Sequence, residues 1–296
     1  MIEPRSLERN LDYLAIGHVT CDLVGDTYTV GGTVSYAART ARALGCRTGI
    51  VTSASPDLDL NNTLGDILIA RIPAAATTTF ENIYTPKGRR QILHATAEML
   101  VPEMVPQDWQ AASAETIVHL GPVAQECDPA LIDAFGDHPG GAFIGLTPQG
   151  WMRHRDQAGH VSRCQWKEAE PLLTRADAVV LSEEDIAGDE ALVNHYAAQT
   201  RLLVLTQGAA GCTVYKAGQS RHFPAPAVRE VDATGSGDIF AATFFVQLQR
   251  NRDPWAAARF ANCVAAQSVA RKGLAGTPTT KEIAACEQAS GVKHNT

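Results

Sequence analysis

One eight-residue string carries the strongest chemical signal in this sequence: Val231-Asp-Ala-Thr-Gly-Ser-Gly-Asp238, running directly into the helical pattern Ile239-Phe-Ala-Ala-Thr-Phe. A turn of small residues entering a helix leaves backbone N–H groups unpaired at the positive end of the helix dipole. That is a seat for a phosphate or another oxyanion. Gly235, Ser236 and Gly237 supply the donors, and the carboxylate of Asp238 faces whatever the turn holds. Phosphoryl transfer requires both parts, a cradle for the group in flight and a carboxylate that accepts the acceptor's hydroxyl proton. Taken alone, Gly235-Ser-Gly-Asp238 also reads as a loop whose aspartate caps a helix; the full string is far more specific.

Other stretches offer partners. Gly31 and Gly32 precede a helical pattern that includes Tyr36, and adjacent glycines let a ligand approach the backbone closely; a plain turn is the competing reading. Asp22 follows the first strand, where a carboxylate can accept hydrogen bonds from vicinal hydroxyls or lie in an exposed loop. Thr206, Gly208 and Gly211 follow an apolar strand, at the edge where open α/β sheets bind ligands, although such glycines also make ordinary turns. The acidic run Ser182-Glu-Glu-Asp185 suits a helix N-terminus on its own account. No G-x-x-x-x-G-K-[ST] run is present, and Gly235 and Gly237 do not continue to a third glycine, which excludes a P-loop and a dinucleotide fingerprint.

The 231–238 string resembles the C-terminal signature D-T-x-G-A-G-D of the PfkB/ribokinase family of carbohydrate kinases, with Ala233 for the Thr and Ser236 for the Ala. The resemblance continues in family order. Gly17-His-Val-Thr-Cys-Asp22 is similar to the family's glycine-to-aspartate substrate motif, and Gly31-Gly-Thr-Val-Ser-Tyr-Ala37 to G-G-x-x-x-N-x-A. Leu146-Thr-Pro-Gln-Gly150 looks like L-D-P-x-G, and Leu203–Gly211 like the T-x-G-x-x-G nucleotide loop.

This resemblance implies an α/β, ribokinase-like fold over 1–296: a mainly parallel, doubly wound sheet flanked by helices, with a small β-lid. It implies ATP-dependent transfer to a sugar or polyol hydroxyl, with Asp238 as base and Gly235, Ser236 and Gly237 as the anion hole. Asp22, Gly31, Gly32, Tyr36 and Arg90 would face the acceptor, and Thr206, Gly208, Gly211 and Asn262 the nucleotide. The family's N-x-x-E element, which organises Mg²⁺ through water, corresponds to Ser182–Asp185, so Asp185 or Glu184, with Glu183 beside them, would take that task. A monovalent cation such as K⁺ would lie near Asp232 and Thr234, and a homodimer would form through the lid.

The departures bear on the substrate. Tyr36 stands for the usual Asn, Thr147 for an Asp, and Ser182 and Asp185 for the Asn and Glu of the metal element. The pattern at Tyr36 is similar to inositol-kinase-like members, which names a cyclitol; Tyr36 as half-buried packing is the other reading. A nucleoside is an alternative acceptor, and Arg90 reading an existing phosphate would make it a sugar phosphate; a solvated Arg90 is equally open. A catalytically silent sugar- or nucleotide-binding protein with this fold is the competing class.

The elements that must position these groups are legible as periodicity. Strands are expected at Tyr13–Gly17, Thr48–Thr52, Thr116–Leu120, Ala142–Leu146, Ala178–Leu181 and Leu202–Thr206. Helices fall between them: after Gly32, where Val34, Ala37, Ala38, Ala41 and Leu44 recur before Gly45, from Asp128-Pro129 onward, and over Asp189–Gln199. Two longer helices follow, from about Ser236 to Gln249 and Pro254 to Val269. Such alternation predicts a parallel sheet. Thr77–Tyr84 and Arg90–Thr96 break it as a hairpin around Thr85-Pro-Lys-Gly88, and Thr27–Val30 adds a strand; strands outside the main sheet suggest a lid over its active edge.

Composition sets the outer bounds. The 296 residues are 45% hydrophobic with a net charge of −7, which disfavours a nucleic-acid surface because phosphate backbones demand clustered cations. No stretch approaches the roughly 20 apolar residues of a membrane span, and the polar Met1–Asn10 gives no signal segment, so a cytoplasmic protein is expected. Seven scattered cysteines with no C-x-x-C pair predict buried free thiols rather than a disulfide framework or zinc site.

Overall fold

Tyr13, Leu14, Ala15 and Ile16 are all apolar, and all are buried: Tyr13 and Ala15 enter one core, Leu14 and Ile16 the other. An unbroken apolar run is what a strand covered on both faces requires. The computed structural model describes residues 11–291 except 26, 86–87 and 136–140, and no side chain from 84 to 89. Arg89, the turn at Thr85–Gly88 and the terminal segments of the sequence reading therefore lie outside the described side chains.

The first half runs β1 (Tyr13–Ile16), β2 (Thr20–Val24), β3 (Thr27–Gly31), α1 (Thr33–Ala43), β4 (Thr48–Ala54), α2 (Leu60–Leu64) and β5 (Leu68–Pro73). Then come β6 (Thr78–Thr85), β7 (Gly88–Ala95), α3 (Gln107–Gln110), β8 (Ile117–Leu120), β9 (Phe143–Leu146), β10 (Arg153–Arg155) and β11 (Val161–Arg163). The second half holds α4 (Ala169–Arg175), β12 (Ala178–Ser182), α5 (Glu183–Ile186), α6 (Glu190–Gln199), β13 (Leu203–Thr206), β14 (Cys212–Lys216) and β15 (Gln219–Phe223). It ends with α7 (Ser236–Asn251), α8 (Pro254–Ser268) and α9 (Thr280–Ser290).

Nine strands form the central sheet in the order β15-β14-β13-β12-β9-β8-β1-β4-β5. From β13 to β5 the pairs are parallel, and β14 and β15 close one edge antiparallel. One face is covered by α1, α7, α8 and α9 around Phe244, Phe245 and Phe260; the other packs around Trp151, Trp166, Leu173 and Tyr196. This is the doubly wound α/β architecture that the alternation predicts.

A second sheet stands apart, in the order β3-β2-β6-β7. It contains the expected hairpin and the expected strand at 27–30; β2, which carries Asp22, completes it. The short hairpin β10–β11 leans on its β7 edge through a bridge between Ile92 and His160. Buried His18, between β1 and β2, meets Thr78 Oγ1 at 2.6 Å and Glu98 O at 2.8 Å, which ties the start of the small sheet to its end.

Two expectations are corrected. The helix from Pro129 is a 3₁₀ segment, Pro129–Phe135, rather than an α-helix. The cysteines are not all free: Cys263 on α8 and Cys286 on α9 form a disulfide with a Cα–Cα distance of 5.7 Å, while Cys21, Cys46, Cys127, Cys164 and Cys212 remain thiols. The pair meets because both helices cover the same sheet face, and spacing along the chain does not reveal that. Closing a loop of 23 residues should stabilise the fold by about 3 kcal/mol. Cys286→Ser, or reductant with the wild type, is therefore expected to lower Tm by several degrees; equal melting with and without reductant would contradict this. No described helix is long and apolar enough to cross a membrane.

Candidate active site

Helix α7 starts where the main chain turns through Gly235, whose φ of 78° is left-handed, and Asp238 is its third residue. A Cβ on Gly235 would lie 2.3 Å from Cδ1 and Cε1 of Tyr36, so the turn rests directly on that ring. The hydrogen bonding of the turn revises the donor set. Ser236 N–H already donates to Ala233 O at 3.1 Å, whereas the N–H groups of Gly235 and Gly237 have no acceptor among the described residues. Gly235 and Gly237 thus carry the open N–H groups of the turn, and Ser236 braces it.

Asp238 is half-buried, and its carboxylate accepts a hydrogen bond from the Thr33 hydroxyl at the first position of α1. Burial pushes its pKa up to about 6, against the Thr33 hydrogen bond and the charge of Arg153, with neighbouring Asp185 pushing further upward. Neither Thr33 nor Arg153 was singled out from the sequence. Thr33 had one local signal, a hydroxyl directly behind the Gly31-Gly32 pair; Arg153 had none.

Asp22 on β2 lies against the glycine pair, since a Cβ on Gly31 would fall 2.4 Å from its Oδ2. Gly32 is the N-cap of α1, so α1 and α7 present their N-termini to the same place, with Thr33 and Asp238 in contact. Asp22, Gly31, Gly32 and Asp238 are thereby brought together as expected. Two acceptor-side residues are placed differently. Tyr36 is 2% exposed and belongs to the core beneath Gly235, which fits the packing reading rather than a substrate contact. Arg90 is exposed on β7 and its guanidinium meets His160 Nε2 at 3.0 Å.

On the other side of the turn, a pocket of about 320 Å³ joins Thr206, Gly208, Gly211 and Asn262 to Ser236 and Gly237. Asn262 is buried and donates to Phe223 O at 2.8 Å, so it shapes the pocket wall by holding β15 to α8. Thr206 donates to Leu181 O at 3.1 Å. The remainder is mostly small and apolar, including Ala225, Val228, Ala265 and Ala266.

The metal candidates do not converge. Among the described residues no three His, Cys, Asp or Glu side chains form a ligand cluster. Asp185 Oδ2 closes a capping box, accepting from Ser182 N at 2.9 Å and Ser182 Oγ at 2.7 Å, which satisfies the helix-terminus reading. It nonetheless lies near enough to Asp238 to raise its proton affinity. Glu184 is exposed, and Glu183 accepts from Gln207 Nε2 at 2.9 Å. Asp232 accepts from Thr234 N and Gly273 N, each at 2.9 Å. Burial alone would raise its pKa, but those donors, the Thr234 hydroxyl and Lys272 hold it below the usual carboxylate range. Asp232 and Thr234 thus brace their own loop.

Thr147, which stands for an Asp, has its own logic. Its hydroxyl meets Nε2 of the fully buried His119 at 2.8 Å, and Tyr13 Oη meets Nδ1 at 2.7 Å. Burial drives His119 down to about 3, so the ring is neutral, and a neutral hydroxyl partners it without adding a buried charge.

Residues 167–281 match the sequence model of the pfkB family carbohydrate kinases, a stretch that holds the glycine turn, Asp238 and the whole 320 Å³ pocket. Over that stretch the chain is similar to the pfkB family. The Klebsiella pneumoniae fructokinase is 30% identical over 165 residues, which is 50% of this chain and 51% of that protein. The ribokinase of Bacillus subtilis (strain 168) is 39% identical over 82 residues, 27% of this chain and 28% of that protein. The chain thus spans about half the length, or less, of these curated relatives. The ribokinase-like fold extends over nearly the whole chain. A pyrophosphate-dependent kinase in the ribokinase family, complexed with a pyrophosphate analog and myo-inositol, superposes with TM-score 0.76 at 20% identity, covering 92% of this chain and 99% of its own. Thermotoga maritima ribokinase superposes with TM-score 0.69 at 19% identity, covering 93% and 99%.

Proposed function

We propose that this protein transfers the γ-phosphoryl group of ATP to a hydroxyl of a sugar or polyol. The observation that supports this most is the position of Asp238. It lies between a donor pocket that ends at Ser236 and Gly237 and an acceptor-side cluster of Asp22, Gly31 and Thr33.

The donor side favours a nucleotide. Pyrophosphate, the donor of one similar structure, is compact and densely charged, and clustered cations would be expected around it. No Lys or Arg lines the 320 Å³ pocket among the described residues, and its small apolar wall suits the flat face of a base. A nucleotide donor fits the cytoplasmic location expected from the sequence.

In the proposed step the acceptor oxygen bonds to the γ-phosphorus while its proton passes to Asp238. The bond from that phosphorus to the bridging oxygen breaks, and ADP leaves with the electron pair. Open N–H groups of Gly235 and Gly237 hold the negative charge on the transferring group. Mg²⁺ arriving with ATP would neutralise the phosphates; the second oxygen of Asp185, with Glu184 beside it, is the hard oxygen set that fits it. The small sheet β3-β2-β6-β7 would act as the lid and exclude water.

Acid–base behaviour gives a direct check. Asp238 works as a base only when ionised, so kcat/KM should fall about tenfold per pH unit below about 6. Arg153 favours the ionised form and Asp185 opposes it. Arg153→Gln should therefore move the acid limb to higher pH and Asp185→Asn to lower pH; a limb unmoved in both variants would contradict this electrostatic arrangement.

The homodimer through the lid remains part of the proposal. Val24 and Tyr28, on β2 and the edge strand β3, are 59% and 52% exposed. Val24→Asp with Tyr28→Asp should give a monomer by light scattering where the wild type gives a dimer; a monomeric wild type removes the dimer.

The function itself is tested by a coupled assay of ADP release over sugars, cyclitols and nucleosides, in K⁺ and in Na⁺. Acceptor-dependent ADP release is expected. ATP binding with no acceptor-dependent release across the panel would favour the silent binding protein instead.

A further inference from the structure

The acceptor side contains a second cavity, of about 180 Å³, between the small sheet and the hairpin β10–β11. Phe80 and Leu93 wall it on the sheet side, and Phe80 is the register partner of Asp22 on the neighbouring strand. Opposite stand Arg153, His154 and Arg155, three consecutive residues of β10. No Asp or Glu lines this cavity among the described residues. The donor pocket, which takes the more highly charged reactant, has no arginine or lysine in its lining. The cations are thus concentrated where the acceptor enters.

Arg153 is the inner member. It is half-buried, donates to Val123 O at 3.2 Å, and its charge reaches Asp238. Arg155 is two residues further along the same strand, on the same face, about 7 Å farther out by strand geometry. One cation near the reacting carboxylate could serve the transferring group alone. Arg155, beyond it, is exposed at the cavity, where an anionic group would make a charge-assisted, bidentate pair that a neutral hydroxyl cannot.

We propose that this cavity is an anion-recognition subsite, so that the acceptor is a polyhydroxy compound already bearing a phosphate or carboxylate. Its free hydroxyl points to Asp238 and its anionic group to Arg155. This inference rests on the phosphotransfer reading above. Both anions suit the planar donor fork of arginine, and a lone Arg90 bound to His160 on the outer sheet is not needed for it.

The test measures kcat/KM by ADP release for three groups of acceptors: neutral sugars and cyclitols, sugar phosphates, and sugar acids. Wild-type protein should prefer a phosphorylated or an acidic acceptor, and which arm responds identifies the anion. Arg155→Gln should lower kcat/KM for that acceptor by about 10–100-fold, the range of a charge-assisted hydrogen bond, and change neutral acceptors by less than twofold. Arg155→Lys should restore part of the loss. Turnover of neutral acceptors only, or an unchanged ranking in a folded Arg155→Gln variant, overturns the subsite and leaves the kinase reading intact. If nothing is turned over, the kinase reading fails separately. Calorimetric titration with glucose 6-phosphate and gluconate then decides the subsite: binding to the wild type that Arg155→Gln abolishes supports it, and equal or absent binding in both overturns it.

Discussion

Asp238→Asn is expected to lower kcat by about 10²–10⁴-fold, the usual cost of losing a general base, while raising the melting temperature. The two effects share one cause. Asp238 ionises at about 6 in the fold against an ordinary value of 3.8, so the folded state binds its proton more tightly than the unfolded chain does. For such a group stability is greatest below pH 4, declines as pH rises through 6, and stays at the lower value above. At pH 7.5 the ionised carboxylate therefore costs roughly 2–3 kcal/mol, about 1.4 kcal/mol per pH unit of displacement. Asparagine keeps the size and can still pair with Thr33 without that cost. A thermal melt and a turnover assay on one preparation check both halves. Unchanged turnover removes Asp238 from the reaction, and a lower Tm shows that its burial is offset by contacts asparagine cannot make.

Gly235→Ala should be a severely damaging single-methyl change in the site. At φ 78° an L-residue costs about 1–2 kcal/mol. The added carbon would also overlap the Tyr36 ring, itself 2% exposed with no room to retreat, for about 1–3 kcal/mol more. Displacing the turn tilts the Gly235 and Gly237 donors away from the anion seat, so turnover should fall at least as sharply as stability. Tyr36→Asn separates the two contributions. On its own it should lower Tm and leave the ranking of acceptors as in the wild type, because Tyr36 lies in the core. Combined with Gly235→Ala it should relieve the overlap, leaving only the backbone strain. Double-variant losses equal to the sum of the singles would mean that the ring and the turn are not coupled.

Much of this was readable before folding because it is local. Strand–helix alternation depends on neighbours in sequence, and so does a glycine string opening a helix, which is why β1, β4, β8, β9, β12, β13, α1, α7 and α8 lie close to their expected places. What escaped depends on contacts that sequence order hides. Thr33 and Arg153 act on Asp238 only because α1 and β10 are folded against α7. Ser236 looked like a donor by position, yet its N–H folds back onto Ala233. Asp185 matched a metal-binding element, and the structure adds a capping box in which its Oδ2 accepts from Ser182. Tyr36 could have faced either way; α1 is buried on nearly all sides, and the ring packs beneath Gly235 at the start of α7.

The division of the site along the chain has a practical corollary. Every residue of the 320 Å³ pocket lies between Thr206 and Val269, within the stretch that matches the family model, whereas Asp22, Gly31, Phe80 and Arg153 all precede residue 167. On the proposed function, acceptor and donor residues thus fall on separate stretches of the chain, which meet where the N-termini of α1 and α7 come together. Laboratory evolution can randomise the earlier stretch for new acceptors without touching the nucleotide machinery, and chimeras with a relative joined between β11 and α4 should exchange acceptor preference as a block.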